Sequence, residues 1–373
     1  MSTTEAKPEA TETPEGRNVP RPVFTDAEAG AKEFPSSTSR KYSYFEPRKR
    51  KASVYEDVTV DVQPDNDRHL LQGWIYAFAD GSSGYPKEWT GLKSSDWHKF
   101  LDPNEEWEQT IFRNASSIVR QVQASVANAS AAGSFETWAK SWTRVVEQHV
   151  GAWAHAEHGL GLYVYTPAQR DGPTNMINNA LSVAATHKLR FAQDLILYNL
   201  DLTDKVDGFD GQAHMATWQT DPVWAGVREM VENITATRDW AEQFFATALV
   251  FEPLVGELFR SHFVMQVAAI HGDFVTPTVI GGGEADAARE QRGARHLFEL
   301  LVKDEAHGPA NVALLDEWAA KWAPQAEKAA RLLQPIWSQI PEKTLRFEDS
   351  YDRAQARFSS QLSDLGISTP EGA

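Results

Sequence analysis

A chain of 373 residues with 36 basic and 52 acidic side chains has a net charge of −16. That balance argues against nucleic acid as a partner, because phosphate neutralisation needs clustered Lys and Arg. Apolar residues make up 42 % with 13 Trp and 18 Phe, enough for a large core, and the absence of Cys excludes disulfides, thiolate nucleophiles and Cys-held zinc or iron–sulfur clusters in this chain.

Residues 1–22 are polar and Pro-rich, without the apolar h-region of a secretory signal, and read as a disordered tail. Residues 23–100 read as an extended, aromatic-rich arm. The run Tyr55–Val62 alternates like a strand, and Gly81, Gly84, Pro86 and Gly91 break up the later part of the arm. The only basic patch, Arg40-Lys41 and Arg48-Lys49-Arg50-Lys51, brackets Tyr42, Tyr44 and Phe45. It suits either docking on an acidic partner or pairing with the protein's own acidic surface. Aromatics and Arg anchor interfaces, so Tyr42, Tyr44, Phe45, Trp74 and Trp89 are expected in contact with a partner subunit.

From Asp102 the pattern turns helical. Asp102-Pro103-Asn104-Glu105 reads as a cap opening a helix to about Asn128. A second helix starts near Ser134 and a third runs from about Thr174 to Leu200, with Ala184, His187 and Phe191 on one stripe. Another is expected over about 239–270, kinked by Pro253, which frees the carbonyl four residues earlier. Gly281-Gly282-Gly283 reads as a loop before a helix over about 284–308, and later segments carry Trp318, Trp322 and Trp337. The fold class is mainly α: a helical bundle over 101–340, then a C-terminal helix and tail over 341–373. The most apolar run, 244–259, holds Glu252 and Glu257 and falls short of the roughly 20 residues a membrane span needs. A cytoplasmic protein without membrane contact is expected.

The chemistry such a bundle hosts most readily is a di-iron carboxylate centre. It takes one Glu from each of two helices and a Glu-x-x-His from each of two others. Asp304-Glu-Ala-His307 offers one such pair on a helix, with Asp for Glu. The other fails, since Ala184 stands three residues before His187. Glu157 and Glu252 complete what an autonomous di-iron oxidase would use: Glu157, His187, Glu252, Asp304 and His307. Its bland counterpart is a polar interior of hydrogen-bonded pairs, such as His187 or His307 with a buried carboxylate. Residual metal near Asp304 and His307 is left open. His155-Ala-Glu157-His158 reads as structural.

Several blocks together carry a resemblance: FPSSTSRKYSYFEPRKRKASVYEDVTVDVQPD (34–65), WHKFLDPNEEWEQTIFRN (97–114), PTNMINNALSVAATHKLRFAQDLILYNLDL (173–202) and GDFVTPTVIGGGEAD (272–286). Over about residues 23–365 the chain resembles the small (β) subunit of the hydroxylase component of bacterial soluble di-iron multicomponent monooxygenases. The resemblance implies a ferritin-like bundle without catalytic, cofactor or metal residues of its own. A large (α) subunit would carry the di-iron centre in an α2β2 assembly. A reductase with FAD and a 2Fe-2S cluster would bring electrons from NADH, and a coupling protein would regulate turnover. The substrates implied are propane or related small alkanes, ketones or phenols. Ala184 before His187, and Asp304 with His307, then read as remnants of lost ligand pairs. An autonomous di-iron oxidase and a non-enzymatic helical adaptor are the alternatives.

Overall fold

The computed structural model describes residues 48–49, 51–60, 89–341 and 345–370. The expected tail 1–22 and the aromatics Tyr42, Tyr44, Phe45 and Trp74 lie outside them. Every regular element among the described residues is helical.

Helix α1 is Val54–Thr59, where alternation suggested a strand. Ser53 and Glu56 close a capping box there, and Tyr55 is buried with its hydroxyl accepting from the Asp102 amide at 3.0 Å. Local capping thus overrides the alternating pattern. Helix α2, Glu108–Ala131, starts later than expected. Asp102-Pro103-Asn104-Glu105 forms a turn instead, in which Asp102 accepts from the Asn104 amide at 3.0 Å and Glu105 adopts φ 51°. The helix is opened by Thr110, whose hydroxyl accepts from the Trp107 amide at 2.8 Å.

Rod α3 runs through Lys140–Val145, Gly151–Gly159 and Thr166–Asp171, joined by π-helical Val146–Val150 and Leu160–Tyr165. Helix α4 is Asn175–Thr203, capped by Thr174 accepting from the Ile177 amide at 3.3 Å. Helices α5 (Ala213–Thr220) and α6 (Ala225–Ala236) come next. Rod α7 begins at Trp240–Phe245, capped by Asp239, and includes two π segments, Ala246–Gly256 and Arg260–Val264, before it ends in Ala268–His271. Pro253 lies inside the first. Lacking an N–H and crowding the carbonyl four residues back, it is met by a widened turn.

Helix α8 is Thr276–Val302, so the triple glycine lies within a helix and not in a loop. Close approach explains it: a Cβ on Gly282 would stand 2.7 Å from Ile118 of α2, and one on Gly283 would run into the Phe191 ring of α4. Helix α9 is Gly308–Leu332, α10 is Gln334–Trp337 and α11 is Phe347–Asp364. One apolar core joins these helices, with Trp142, Trp153, Trp224, Trp240 and Trp322 fully buried.

The described end of the arm lies on its own bundle. The Gly91 amide donates to Asp239 at 2.7 Å, the Lys93 amide to Asn311 at 3.0 Å, and Trp97 meets Trp240 edge-on at 5.9 Å. Trp89 sits half-buried with the Arg170 guanidinium over its ring at 5.4 Å. Arg48 of the basic patch pairs with Glu56 and Glu105 of the same chain. No helix among the described residues is long and apolar enough to cross a membrane.

Candidate functional site

Four helices converge on a polar interior. Rod α3 supplies Glu157 and Tyr165, α4 supplies His187, Lys188 and Arg190, α7 supplies Glu252 and Arg260, and α8 supplies Glu284, Asp286, Arg289 and Glu290. The π turns contribute directly. Glu252 lies inside one and Arg260 opens the next, and the extra residue per turn re-aims both inward.

At the centre, Lys188 Nζ lies between three carboxylates. Glu157 Oε2 is 3.3 Å away and Glu290 Oε2 is 3.5 Å away, while Glu252 Oε1 is in direct contact. Arg260 holds the same group from the other side, with Nη1 3.1 Å from Glu157, Nη2 2.6 Å from Glu252 and Nε on Glu284. Its guanidinium stacks over Trp153 at 5.2 Å, and Trp153 Nε1 donates to Glu157 at 2.7 Å. Tyr165 donates its hydroxyl proton to Glu290. These charges are 0–6 % exposed apart from Glu284.

A second cluster adjoins the first. Asp286 is in contact with both Arg190 and Arg289, and Arg289 Nε is 3.1 Å from Glu106. His187 Nε2 faces Glu106 at 3.7 Å and Asp286 at 3.8 Å, too far for a hydrogen bond, and has no other partner among the described residues. It borders a cavity of about 20 Å³ that Ala184, Glu106 and Arg289 also line. That is room for about one water.

Burial sets the protonation states. It pushes Glu106 up to about 7 against Arg289, and His187 down to about 4 against Asp286, so the histidine is neutral. Burial also works against charge on Lys188, but Glu157, Glu252 and Glu290 outweigh it and raise its pKa. Burial raises Glu252 in turn, yet Arg260 and Lys188 more than offset this and hold it well below the usual carboxylate range.

Glu157, His187 and Glu252 are therefore brought to one region, as a ligand set would require. Asp304 and His307 are not. They lie in a turn between α8 and α9, not on a helix. Asp304 accepts from the Ala306 and His307 amides at 3.0 Å each and from the Ser95 amide and hydroxyl. That is capping chemistry, and the Ser95 amide first of all holds Asp304 down to about 2. His187 does stand beside buried carboxylates, whereas His307 has no carboxylate within salt-bridge distance among the described residues. The i, i+3 pairs that face each other across α4 and α8 are His187/Arg190 and Asp286/Arg289. An Arg thus stands three residues after His187 on α4 and three after Asp286 on α8. Sequence reasoning overlooked the cations Lys188, Arg190, Arg260 and Arg289 and, with them, Glu106, Tyr165, Glu284, Asp286 and Glu290. The usable signal was Lys188, whose helix-face neighbours Ala184, Ala185, Phe191 and Ala192 are apolar; Arg190 and Arg289 sit among polar neighbours and give none.

Metal ions do not fit this interior as built. The carboxylate oxygens that could ligate them are held by Lys188 and Arg260, and among the described residues no three His, Asp or Glu are arranged to hold a metal. What the arrangement does is neutralise buried charge and lock four helices together. His155 Nε2 meets His214 Nδ1 at 2.9 Å and stacks on Trp218, while His158 is exposed beside Tyr163. Of the expected interface residues only Trp89 lies within the described part.

Residues 74–305 match the family of methane, phenol and alkene hydroxylases. The small subunit of the hydroxylase component of propane 2-monooxygenase from Mycolicibacterium goodii is 55 % identical over 97 % of this chain and 98 % of its own length. The corresponding subunit from Gordonia sp. strain TY-5 is 54 % identical over 96 % of this chain and 97 % of its own. The methane monooxygenase component A β chain of Methylosinus trichosporium is 26 % identical over 95 % and 92 %. A chain of the phenol hydroxylase of Pseudomonas sp. OX1 superposes with a TM-score of 0.71, covering 86 % of this chain and 92 % of its own at 17 % identity.

Proposed function

The chain belongs to the methane/phenol/alkene hydroxylase family as the small subunit of a hydroxylase component, and on that premise we propose that it scaffolds a large subunit carrying the di-iron centre in an α2β2 hydroxylase. In this reading the substrate is propane or a related small alkane, ketone or phenol. Electrons come from NADH through a reductase holding FAD and a 2Fe-2S cluster, and a coupling protein regulates turnover in the cytoplasm. The observation that carries the reading is identity of 54–55 % over nearly the full length to propane 2-monooxygenase small subunits from three genera. The cation-filled bundle supports a scaffold role, because every inward carboxylate of the central group already has a protein partner. The arm, with Tyr42, Tyr44, Phe45, Trp74 and Trp89, is proposed to contact the large subunit.

The test is reconstitution. Propane and acetone oxidation are measured with the large subunit, coupling protein and reductase, with and without this chain. Turnover is expected only with both hydroxylase subunits. Full turnover by the large subunit alone would remove the scaffold reading.

A further inference from the structure

Three tryptophans run from the ion cluster towards the surface. Trp153 on α3, Trp224 just before α6 and Trp218 on α5 are in successive contact, with ring centroids 6.1 and 5.8 Å apart. Trp153 and Trp224 are fully buried, and Trp218 is partly exposed. Apolar packing explains why such rings touch. It does not explain how differently their surroundings treat charge.

The two outer rings each lie under a guanidinium, Arg260 at 5.2 Å from Trp153 and Arg228 at 6.0 Å from Trp218. A cation over a ring is attracted to its electrons and repels the positive charge left when one of them is removed. Both ends of the chain therefore resist oxidation. Trp224, in the middle, has no cation over its ring among the described residues.

Trp224 also has a base on its N–H. Its Nε1 donates to His149 Nδ1 at 3.1 Å. A neutral imidazole has one bare nitrogen and one N–H, so the His149 proton sits on Nε2, which faces Gln339 Oε1 at 3.1 Å. Burial keeps His149 neutral, pushing its pKa down to about 4, while the nearby Asp221 carboxylate favours the imidazolium. Trp153 donates to a base too, Glu157 at 2.7 Å. A proton on Glu157 would however cost its pairs with Lys188 and Arg260. A proton on His149 Nδ1 breaks no ion pair.

We propose that Trp224 is an internal sink for oxidising equivalents, filled from the surface through Trp218. A one-electron oxidant at the surface takes an electron from Trp218, and Trp224 returns one to it. Loss of an electron makes the Trp224 indole N–H acidic. Its proton passes to His149 Nδ1, leaving a neutral indolyl radical beside an imidazolium. A one-electron reductant reverses both transfers, so the tryptophan is recovered unmodified. The device needs only this chain and does not depend on the partner proposed above.

The experiment oxidises the full chain with azide radical, which takes one electron from indole, and follows the product by transient absorption. A long-lived neutral indolyl radical is expected in the wild type. Trp224→Phe should reduce it several-fold, and His149→Phe should shorten its lifetime. Trp322→Phe should leave it unchanged, because Trp322 is equally buried but lies under Lys321 at 4.5 Å. A variant nearer the surface avoids the core. Arg228→Leu removes the cation over Trp218 and should shift radical outwards, seen as a several-fold rise in nitroso spin-trap adduct on Trp218 by peptide mass spectrometry. A radical equally abundant and long-lived in Trp224→Phe would overturn the proposal. So would an equal loss in Trp322→Phe, or, where Trp224→Phe does not fold, an Arg228→Leu adduct yield no higher than that of the wild type.

Discussion

Arg260 and Glu106 show how differently two buried charges can behave. Arg260 touches three carboxylates, so Arg260→Gln strands Glu157 and Glu252 with only Lys188 between them. Removing one partner of a buried ion pair costs roughly 3–5 kcal/mol. Chemical denaturation should show a loss of that order for Arg260→Gln. The double variant Arg260→Gln/Glu252→Gln should lose less than the two single losses added together, because the members act as a unit. Additive losses would mean the ions are energetically separate. Glu106 works in the opposite sense. Burial raises its pKa to about 7, so between the ordinary carboxylate value and 7 the folded chain keeps a proton that the unfolded chain releases. This contribution is fully present in acid and is lost as pH rises through about 7. It amounts to at most about 3 kcal/mol. Glu106→Gln should therefore show a shallower fall in melting temperature from pH 5 to pH 8 than the wild type. Parallel profiles would place the titration elsewhere.

At the scale of elements, the glycines of α8 separate close packing from chain freedom. A Cβ on Gly281 meets nothing within 4 Å, whereas one on Gly283 collides with Phe191. Gly281→Ala should stabilise the chain by about 0.5–1 kcal/mol through helix propensity. Gly283→Ala should destabilise it by about 1–3 kcal/mol through overpacking. Equal effects in thermal melts would contradict the helix-to-helix approach described. Gly256 is a third case: its Cβ would stand 2.5 Å from Glu252 and 2.8 Å from Arg260, so Gly256→Ala should disturb the ion cluster from within the π segment. These same positions explain what was legible in the sequence. Helix periodicity placed α4 and α7 within a few residues, and the structure shows Thr174 and Asp239 capping them. The triple glycine misled because it signals a loop locally, and only the tertiary neighbours Ile118 and Phe191 reveal its purpose. Asp304-x-x-His307 misled in the same way, since the spacing fits a ligand pair while the neighbours Ser95 and Ala306 make it a cap. Of the central group Glu157 and Glu252 were legible, and His187 of the adjoining one, while Glu290 was not. The cations were not, because a Lys or Arg on an apolar face has meaning only once its carboxylates, 64 residues away in the case of Lys188 and Glu252, are seen to converge.

At the scale of the whole molecule, the bundle is one half of a proposed machine, and its dependence on the other half can be tested from both ends. Deleting residues 1–22 should leave association with the large subunit intact, while deleting 1–52 should weaken association and activity together as the bundle stays helical. Co-purification of the 1–52 deletion at full yield and activity would confine the arm to its own chain, as its described part from Trp89 to Phe100 already lies. The most direct test of the central claim, that this chain keeps its bundle closed with side-chain cations while its partner holds the metal, is an iron determination. The chain is expressed in iron-rich medium alone and together with the large subunit, and iron is measured per chain. No stoichiometric iron is expected on this chain alone, and about two irons per pair of subunits in the complex. About two irons bound to this chain alone, with a di-iron spectroscopic signature, would contradict that claim.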